Sequence, residues 1–179
     1  RYEAEVKQPF LRWLTDLQPV LASLLPAFVP DPRPVGGSLF RIHRDTRFSN
    51  DKRPYKTHAG AAIKHRDAAE GSPLLYFHLS PEGCFFGAGI SPPPAPVLRR
   101  LRDFIVDNPR AWTQARDSVV ANGLQFGGDS LSRAPRGYPS DHSLIEDLKR
   151  KDQILTRPAD DQLVCSERLL PWFVECCGQ

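Results

Sequence analysis

The sequence predicts an α+β fold in which a mainly antiparallel sheet, a meander of about four strands, is flanked by N-terminal, central and C-terminal helices. Apolar residues recur at steps of three and four near the N-terminus and again beyond residue 94, which is the spacing of helices. Between residues 38 and 90 the period changes to two, which is typical of strands. A block of strands with helices at both ends indicates α+β.

Length and composition are those of one soluble domain. The chain has 179 residues, of which 40% are hydrophobic and 25% charged. We expect a single domain over 1–179, with a helical segment at 2–28, a strand-rich part at 38–90 and a helix-rich part at 94–177. Because the chain begins at Arg1 and contains no Met, we expect a longer native N-terminus, processing, or a partial chain.

The first helix is predicted within 2–28, where apolar residues follow one helical face. Pro9 and Pro19 interrupt the series, so we expect a break or a kink near each. The segment FVPDPRPVGG (28–37) then ends the helix and predicts an irregular connector.

Four short segments predict the meander: SLFRIHR (38–44), AAIKHRD (61–67), LLYFHLS (74–80) and CFFGAGI (84–90). A turn at 81–83 should join the last two. In the first segment, alternation predicts Phe40 and Ile42 toward the core and Arg41 and His43 away from it. Gly87 and Gly89 on the last strand suggest a close approach of another backbone or a ligand.

The remaining elements are predicted as helices at 97–107, 111–122, 143–151 and 166–177, with a strand at 152–158. In the first of these helices we expect apolar residues inward and arginines outward; the inward set is Val97, Leu98, Leu101, Phe104 and Ile105, and the outward set is Arg99, Arg100 and Arg102. Asn108 is the expected N-cap of the next helix, which Asn122-Gly123 should end, and Asp141 or Ser140 that of the third. Pro171 predicts a late start or a bend in the closing helix.

Several functional classes are excluded or disfavoured. The net charge of +3 creates no strong global field, and no run of about 18 apolar residues predicts a membrane-spanning helix. The four cysteines lack metal-site spacing, so we expect reduced, mostly buried thiols in a cytoplasmic protein and no metal site. The chain has no Walker loop, dinucleotide fingerprint or serine-hydrolase motif, and no cofactor is predicted.

One segment concentrates positive charge. RIHRDTRFSNDKRPYK (41–56) holds six Arg and Lys but only two Asp, Asp45 and Asp51, and we expect Phe48 to anchor it to the body. The two carboxylates could each accept a fork from Arg41, Arg44 or Arg47 and form a structural lattice, with Tyr55 adding its hydroxyl. They cannot neutralise six cations, however, and the surplus of about four charges equally favours a phosphate or carboxylate ligand. The residues leave both alternatives open.

A second segment, SRAPRGYPSDHS (132–143), places Arg133, Arg136 and Tyr138 before a predicted helix start. Arginines beside a helix N-terminus suit an anion, whereas the alternative is an ordinary loop with a helix cap. The five histidines, His43, His58, His65, His78 and His142, form no recognised motif. His78 shares a strand face with Tyr76.

The 41–56 segment resembles the hallmark of a widespread, mainly bacterial family catalogued as domain of unknown function 2461. That hallmark, Arg-x-x-Arg-Asp-x-Arg-Phe followed by Asp or Asn, Lys and x-x-Tyr, falls here on Arg41, Arg44, Asp45, Arg47, Phe48, Asp51, Lys52 and Tyr55. YFHLSPEGCFFGAGI (76–90) and LSRAPRGYPSDH (131–142) are similar to further family segments. The resemblance covers essentially the whole chain and implies no particular activity, substrate or cofactor.

We therefore expect the segments 41–56 and 133–142 to converge on a basic cleft for a small phosphate- or carboxylate-bearing ligand. The predicted ligand-binding residues are Arg41, Arg44, Asp45, Arg47, Lys52, Tyr55, Arg133, Arg136 and Tyr138. Asp45 would orient arginines, or act as the base if the site is catalytic. The alternatives are a non-enzymatic interaction domain whose Arg/Asp lattice is structural and, third, a weak binder of single-stranded nucleic acid.

Overall fold

The computed structural model describes residues 1–47, 50–67 and 69–178. A π-helical turn, Glu3–Lys7, precedes the α-helices of the described residues, which are Gln8–Leu24 (α1), Ala95–Asp107 (α2), Pro109–Ala121 (α3), Ile145–Lys149 (α4), Asp161–Val164 (α5) and Leu169–Cys177 (α6). The strands are Phe28–Val29 (β1), Ala59–His65 (β2), Leu74–Leu79 (β3), Cys84–Ile90 (β4), Gln125–Gly127 (β5) and Gln153–Ala159 (β6).

The strands of the described residues form one six-stranded antiparallel sheet in the order β1-β2-β3-β4-β6-β5. The mixture of helices and an antiparallel sheet confirms the predicted α+β class, but the predicted count of about four strands is wrong. β1 and β5 contain only two and three residues, respectively. Elements that short carry no readable period, so alternation in the sequence could not reveal them.

The predicted strand at 38–44 is a second correction. Leu39 makes an isolated bridge to Ala61, and the Phe40 amide donates to the Gly60 carbonyl at 2.9 Å. Beyond this point the backbone pairs within its own segment, because the Lys56 amide donates to the Ile42 carbonyl at 2.8 Å. Partners within the segment thus replace a longer ladder with β2.

The predicted faces of that segment are correct for Arg41 and His43, which are exposed, but wrong for Phe40. Leu39 is buried at 8% exposure, whereas Phe40 is 42% exposed. Ile42 is only half-buried. The segment leaves the sheet after Phe40, so the strict alternation of a strand does not hold along it.

The helical predictions hold better. α1 continues through Pro19, so no break occurs there, and Pro9 lies in its first turn. The chain is already helical before Pro9, because the π-helical turn Glu3–Lys7 runs directly into α1, so a change of helix type and not a break lies next to Pro9. α6 begins late, at Leu169, with Pro171 near its start, as predicted.

Several details of the central helices differ from expectation. Phe104 is 48% exposed, whereas Arg102, predicted outward, is partly buried and donates from Nε to the Leu148 carbonyl at 2.7 Å. Asn108 stands at the N-cap position of α3 without a side-chain cap bond. Its side-chain amide donates from Nδ2 to the Phe104 carbonyl at 3.2 Å instead. α3 ends at Ala121, before Asn122 and Gly123 (φ 84°), as predicted.

The main core lies between one face of the sheet and helices α1 and α6. Phe173 of α6 is fully buried and meets the rings of Phe77 and Phe86 at centroid distances of 6.1 and 5.1 Å. Trp13 of α1 lies 4.9 Å from Phe173. On the same face, α3 contacts Phe126 of β5 through Trp112, with ring centroids 6.4 Å apart. Thus α1, α3 and α6 all pack on this face, which we call the core face.

The four cysteines are free thiols. Cys84 and Cys176 are buried, Cys177 is half-buried and Cys165 is exposed. Burial raises the pKa of Cys177 to about 12. In the described part of the chain, no helix combines the length and the apolar character needed to cross a membrane.

Candidate functional site

The opposite face of the sheet carries a cluster of aromatic and imidazole rings. The strand register aligns Gly60, His78, Phe85 and Pro158 in one row, and Ala62, Tyr76, Gly87 and Thr156 in the next. His58 precedes β2, and Phe40 lies beside it at the edge of the sheet. We call the surface formed by Phe40, His58, Tyr76, His78 and Phe85 the ring face.

The rings of this surface are in mutual contact. His78 stacks on Phe85 with centroids 4.7 Å apart and planes 16° from parallel. His58 lies 4.9 Å from His78, and Tyr76 lies 6.0 Å from His78 and 6.1 Å from Phe40. The Tyr76 hydroxyl forms a hydrogen bond of 3.2 Å with Nδ1 of His78. The surface therefore combines stacking planes with polar ring atoms.

Two observations show that the ring face meets solvent. Phe40 is 42% exposed, and Tyr76, His78, Phe85 and His58 are each partly exposed. Among the described residues, the helices that contact the sheet through their rings do so on its core face.

The ring face also shifts the titration of its polar groups. Partial burial lowers the pKa of His78, the charge of His58 lowers it further, and Glu82 acts in the opposite direction. Burial raises the pKa of Tyr76. The environment therefore favours a neutral imidazole hydrogen-bonded to a neutral phenol.

The arginine-rich segment 41–56, which we call the motif loop, is a hairpin that closes on itself. His43 bridges Tyr55, and their rings lie 5.2 Å apart. The Arg44 amide donates to the Pro54 carbonyl at 2.9 Å. Phe48, the predicted anchor of the loop, lies outside the described residues.

Asp-x-Arg units organise the charges of the motif loop. Arg47 donates from Nε and Nη2 to the two carboxylate oxygens of Asp45 at 3.0 and 2.7 Å, and its amide donates to the same carboxylate at 3.2 Å. Arg53 donates from Nε, Nη2 and its backbone amide to the carboxylate of Asp51 in the same way, and Arg44 also donates to Asp51. Asp31 and Arg33 repeat the unit in the preceding connector.

These forks hold the pKa of Asp45 and Asp51 below the usual range, in each case chiefly through the arginine two residues ahead. A carboxylate with a lowered pKa is a weak proton acceptor at neutral pH, so the geometry favours Asp45 as an orienting group over Asp45 as a base. Its arginine partner is Arg47, and the charge of Arg41 acts on it as well.

The two lysines of the loop also have defined contacts. Lys52 donates to the Thr46 carbonyl at 2.9 Å, and Nζ of Lys56 lies 5.4 Å from the centre of the Phe40 ring. Six cations and two aspartates still leave four positive charges in the loop. Phe40 touches Tyr76, so this charge borders the ring face.

The second loop, 131–142, has a different environment. The Tyr138 hydroxyl donates to Oδ1 of Asp103 at 2.7 Å, and its ring packs with Ile105 and Leu148. Neither Asp141 nor Ser140 caps α4, which begins after Leu144 without a side-chain cap. Nδ1 of His142 accepts from the Leu144 amide instead, at 3.0 Å. Tyr138 therefore has a structural contact, while Arg133 and Arg136 are exposed.

The two predicted binding loops are rooted at opposite ends of the sheet. The motif loop runs into β2 at Ala59, at the same end as Ala159 of β6. The second loop closes where the Leu131 amide donates to Lys149, just before β6 begins at Gln153. Seven residues of strand span about 20 Å. The shared cleft stays a prediction that binding experiments have to test.

A cavity of about 890 Å³ lies between α1 and the segment 164–171. It is lined mostly by apolar side chains. Its charged lining residues are one cation, Arg12, and three carboxylates, Glu5, Asp16 and Glu167. One cation among three carboxylates disfavours an anionic ligand, so the ring face beside the motif loop is the better candidate site.

Sequence reasoning missed most of the ring face. Period two correctly put Tyr76 and His78 on one face, but the pairing register that adds Phe85 and brings His58 beside His78 is a tertiary property. The signal that could have found them is the pair of rings at alternate positions of β3, Tyr76 and His78, followed after the turn at 81–83 by Phe85.

The chain belongs to the family of conserved hypothetical proteins designated DUF2461, whose family model matches residues 1–179. No curated protein and no solved structure matches the chain. The family description gives no activity for the candidate site.

Proposed function

We propose that the protein binds a small organic anion, bearing phosphate or carboxylate, on the ring face beside the motif loop. The observation that carries the proposal is the contact between a solvent-facing array of rings and a loop that retains four positive charges. Arginine and lysine favour phosphate and carboxylate groups. Tyr76, His58 and His78 add donors and acceptors next to them.

The structure also supports the alternative, an interaction domain in which the motif loop is a scaffold. The Asp-x-Arg forks can hold the hairpin in one shape without a ligand, because each aspartate accepts from both a guanidinium and a backbone amide. Rigidity and binding are compatible, since a preorganised loop loses less entropy when a ligand arrives. A binding experiment has to separate the two.

The first experiment is a thermal-shift screen with inorganic phosphate, sugar phosphates, nucleotides and dicarboxylates. A ligand at 100 times its dissociation constant adds about 2.7 kcal/mol of stability, which for this chain length raises Tm by roughly 5 to 11 °C. If no anion shifts Tm and none is detected by calorimetry, the proposal fails and the scaffold function is preferred.

Two matched arginine substitutions test the location of the site. Arg41 and Arg136 are both exposed, one in the motif loop and one in the second loop. We expect Arg41→Gln to weaken binding of a responding anion by about three- to tenfold, a loss of the order of 1 kcal/mol, and Arg136→Gln to leave it unchanged. The reverse result would place the anion at the second loop and contradict the proposed site.

A further inference from the structure

The ring face is larger than one ring. It extends from Phe40 at the edge of β2, across Tyr76 and His78 of β3, to Phe85 of β4, with neighbouring centroids 4.7 to 6.1 Å apart. Since Phe40 and Phe85 each lie about 6 Å from Tyr76, their centroids are at most about 12 Å apart. Inorganic phosphate or a dicarboxylate would leave most of this surface uncovered.

The chemistry of the surface selects among ring-bearing anions. Aromatic faces stack on flat, conjugated rings, and every nucleobase offers such a face. The Tyr76 hydroxyl and the imidazoles of His58 and His78 can exchange hydrogen bonds with the polar edge of a base. A purely apolar ligand would remove the remaining hydrogen-bonding atoms of these groups from water without replacing that contact.

The surrounding charge fixes an orientation. Lys56 lies against Phe40, at the boundary between the ring face and the motif loop. A phosphate is attracted toward the positively charged motif loop, so the anionic end of the ligand belongs on the Lys56 side.

We propose that the ligand is a nucleotide unit whose base stacks on Tyr76 and Phe85 and whose phosphate faces the motif loop. This inference rests on the proposed function, because it names the class of anion bound at the same site. A free mononucleotide and a single-stranded nucleic acid present the same unit, and the binding experiment distinguishes these two sources.

The test compares ligands that differ in one part. Dissociation constants are measured by calorimetry for inorganic phosphate, ribose 5-phosphate, adenosine and uridine monophosphates, and a six-nucleotide single strand. Stacking of one base corresponds to about 5- to 150-fold in affinity. We therefore expect each mononucleotide to bind at least about fivefold more tightly than ribose 5-phosphate.

A matched pair of phenylalanine substitutions locates the base. Phe85→Leu keeps an apolar side chain but removes the aromatic plane, and should abolish most of the advantage of the mononucleotide over ribose 5-phosphate. Phe104→Leu changes another half-exposed phenylalanine, on α2, and should leave the advantage intact. If Phe85→Leu does not fold, proton NMR of the unaltered protein supplies the result, because a stacked base shifts the ring resonances of Tyr76 and Phe85.

The outcomes separate this inference from the proposed function. Equal affinity for ribose 5-phosphate and the mononucleotides overturns the nucleotide inference but leaves the proposed anion binding intact. If neither these phosphates nor dicarboxylates bind, the nucleotide inference and the proposed function are both wrong. A single strand that binds at least about tenfold more tightly than its mononucleotide, with affinity falling steeply as salt rises, supports the inference and identifies nucleic acid as the source. Similar affinities for strand and mononucleotide support it with a free nucleotide as the source.

Discussion

At the scale of single residues, the Asp-x-Arg unit is the most regular feature of the chain. It occurs at Asp31/Arg33, Asp45/Arg47 and Asp51/Arg53. Each time, the guanidinium and the backbone amide of the arginine both donate hydrogen bonds to the same carboxylate. Partners two residues apart need no tertiary contact to meet. For that reason the sequence could predict that the aspartates of the motif loop accept arginine forks, although it named Arg41, Arg44 and Arg47 and missed Arg53.

The lowered pKa of Asp51 makes a prediction about pH. Its folded pKa lies below the ordinary value of 3.8, first because of Arg53 and then because of Arg44. The stabilisation from its ionised form is complete above the unfolded pKa of about 3.9, and is lost only as the pH falls through the lower folded value. We expect Asp51 to stay ionised at pH 4 in a carboxyl-carbon NMR titration. A midpoint near 3.9 would show that the forks do not form in solution.

At the scale of elements, the two glycines of β4 have different surroundings. A Cβ on Gly89, where φ is 129°, would collide with the backbone carbonyl of Gln153 in β6. A Cβ on Gly87 would make only ordinary contacts, at 3.5 Å or more, with Tyr76 and Phe85. The close approach of another backbone, predicted from the sequence as one of two options, is thus confirmed for Gly89. Gly87 instead lies on the ring face.

Alanine substitutions should separate the two glycines. Gly89→Ala should destabilise the fold by about 2 kcal/mol or more, because both the backbone conformation and the space are unsuitable for a side chain. Gly87→Ala should change the free energy of unfolding by less than about 1 kcal/mol, in the stabilising direction, because glycine costs entropy within a strand. Urea denaturation measures both, and equal losses would contradict the register of β4 on β6.

At the scale of the whole molecule, the helices that contact the sheet rings lie on one of its faces. This asymmetry explains why adjacent residues of β4 differ: Phe86 is fully buried against Phe173, whereas Phe85 is partly exposed and stacks on His78. An antiparallel sheet with one solvated face is common. A solvated face that carries contiguous rings is more often a binding surface.

Phe86 and Phe85 provide a direct test of this architecture. Phe86→Ala should cost about 3 to 5 kcal/mol, because it leaves a cavity in the core. Phe85→Ala should cost about 1 kcal/mol, because the side chain is only partly removed from water. Chemical denaturation of the two variants gives the comparison. Equal costs would mean that the ring face is covered in solution.

Local patterns in the sequence by themselves determined the α+β class, the positions of β2, β3, β4 and β6, and most of the helices, because these follow from side-chain periodicity and from proline and glycine signals. They also determined the motif loop and its local charge pairs. Only the tertiary structure decided the six-stranded order, the failure of 38–44 to form a strand, and the rooting of the two loops at opposite ends of the sheet. It alone also assembled the ring face from Phe40, His58, β3 and β4, because register and layer packing depend on contacts between residues far apart in the chain.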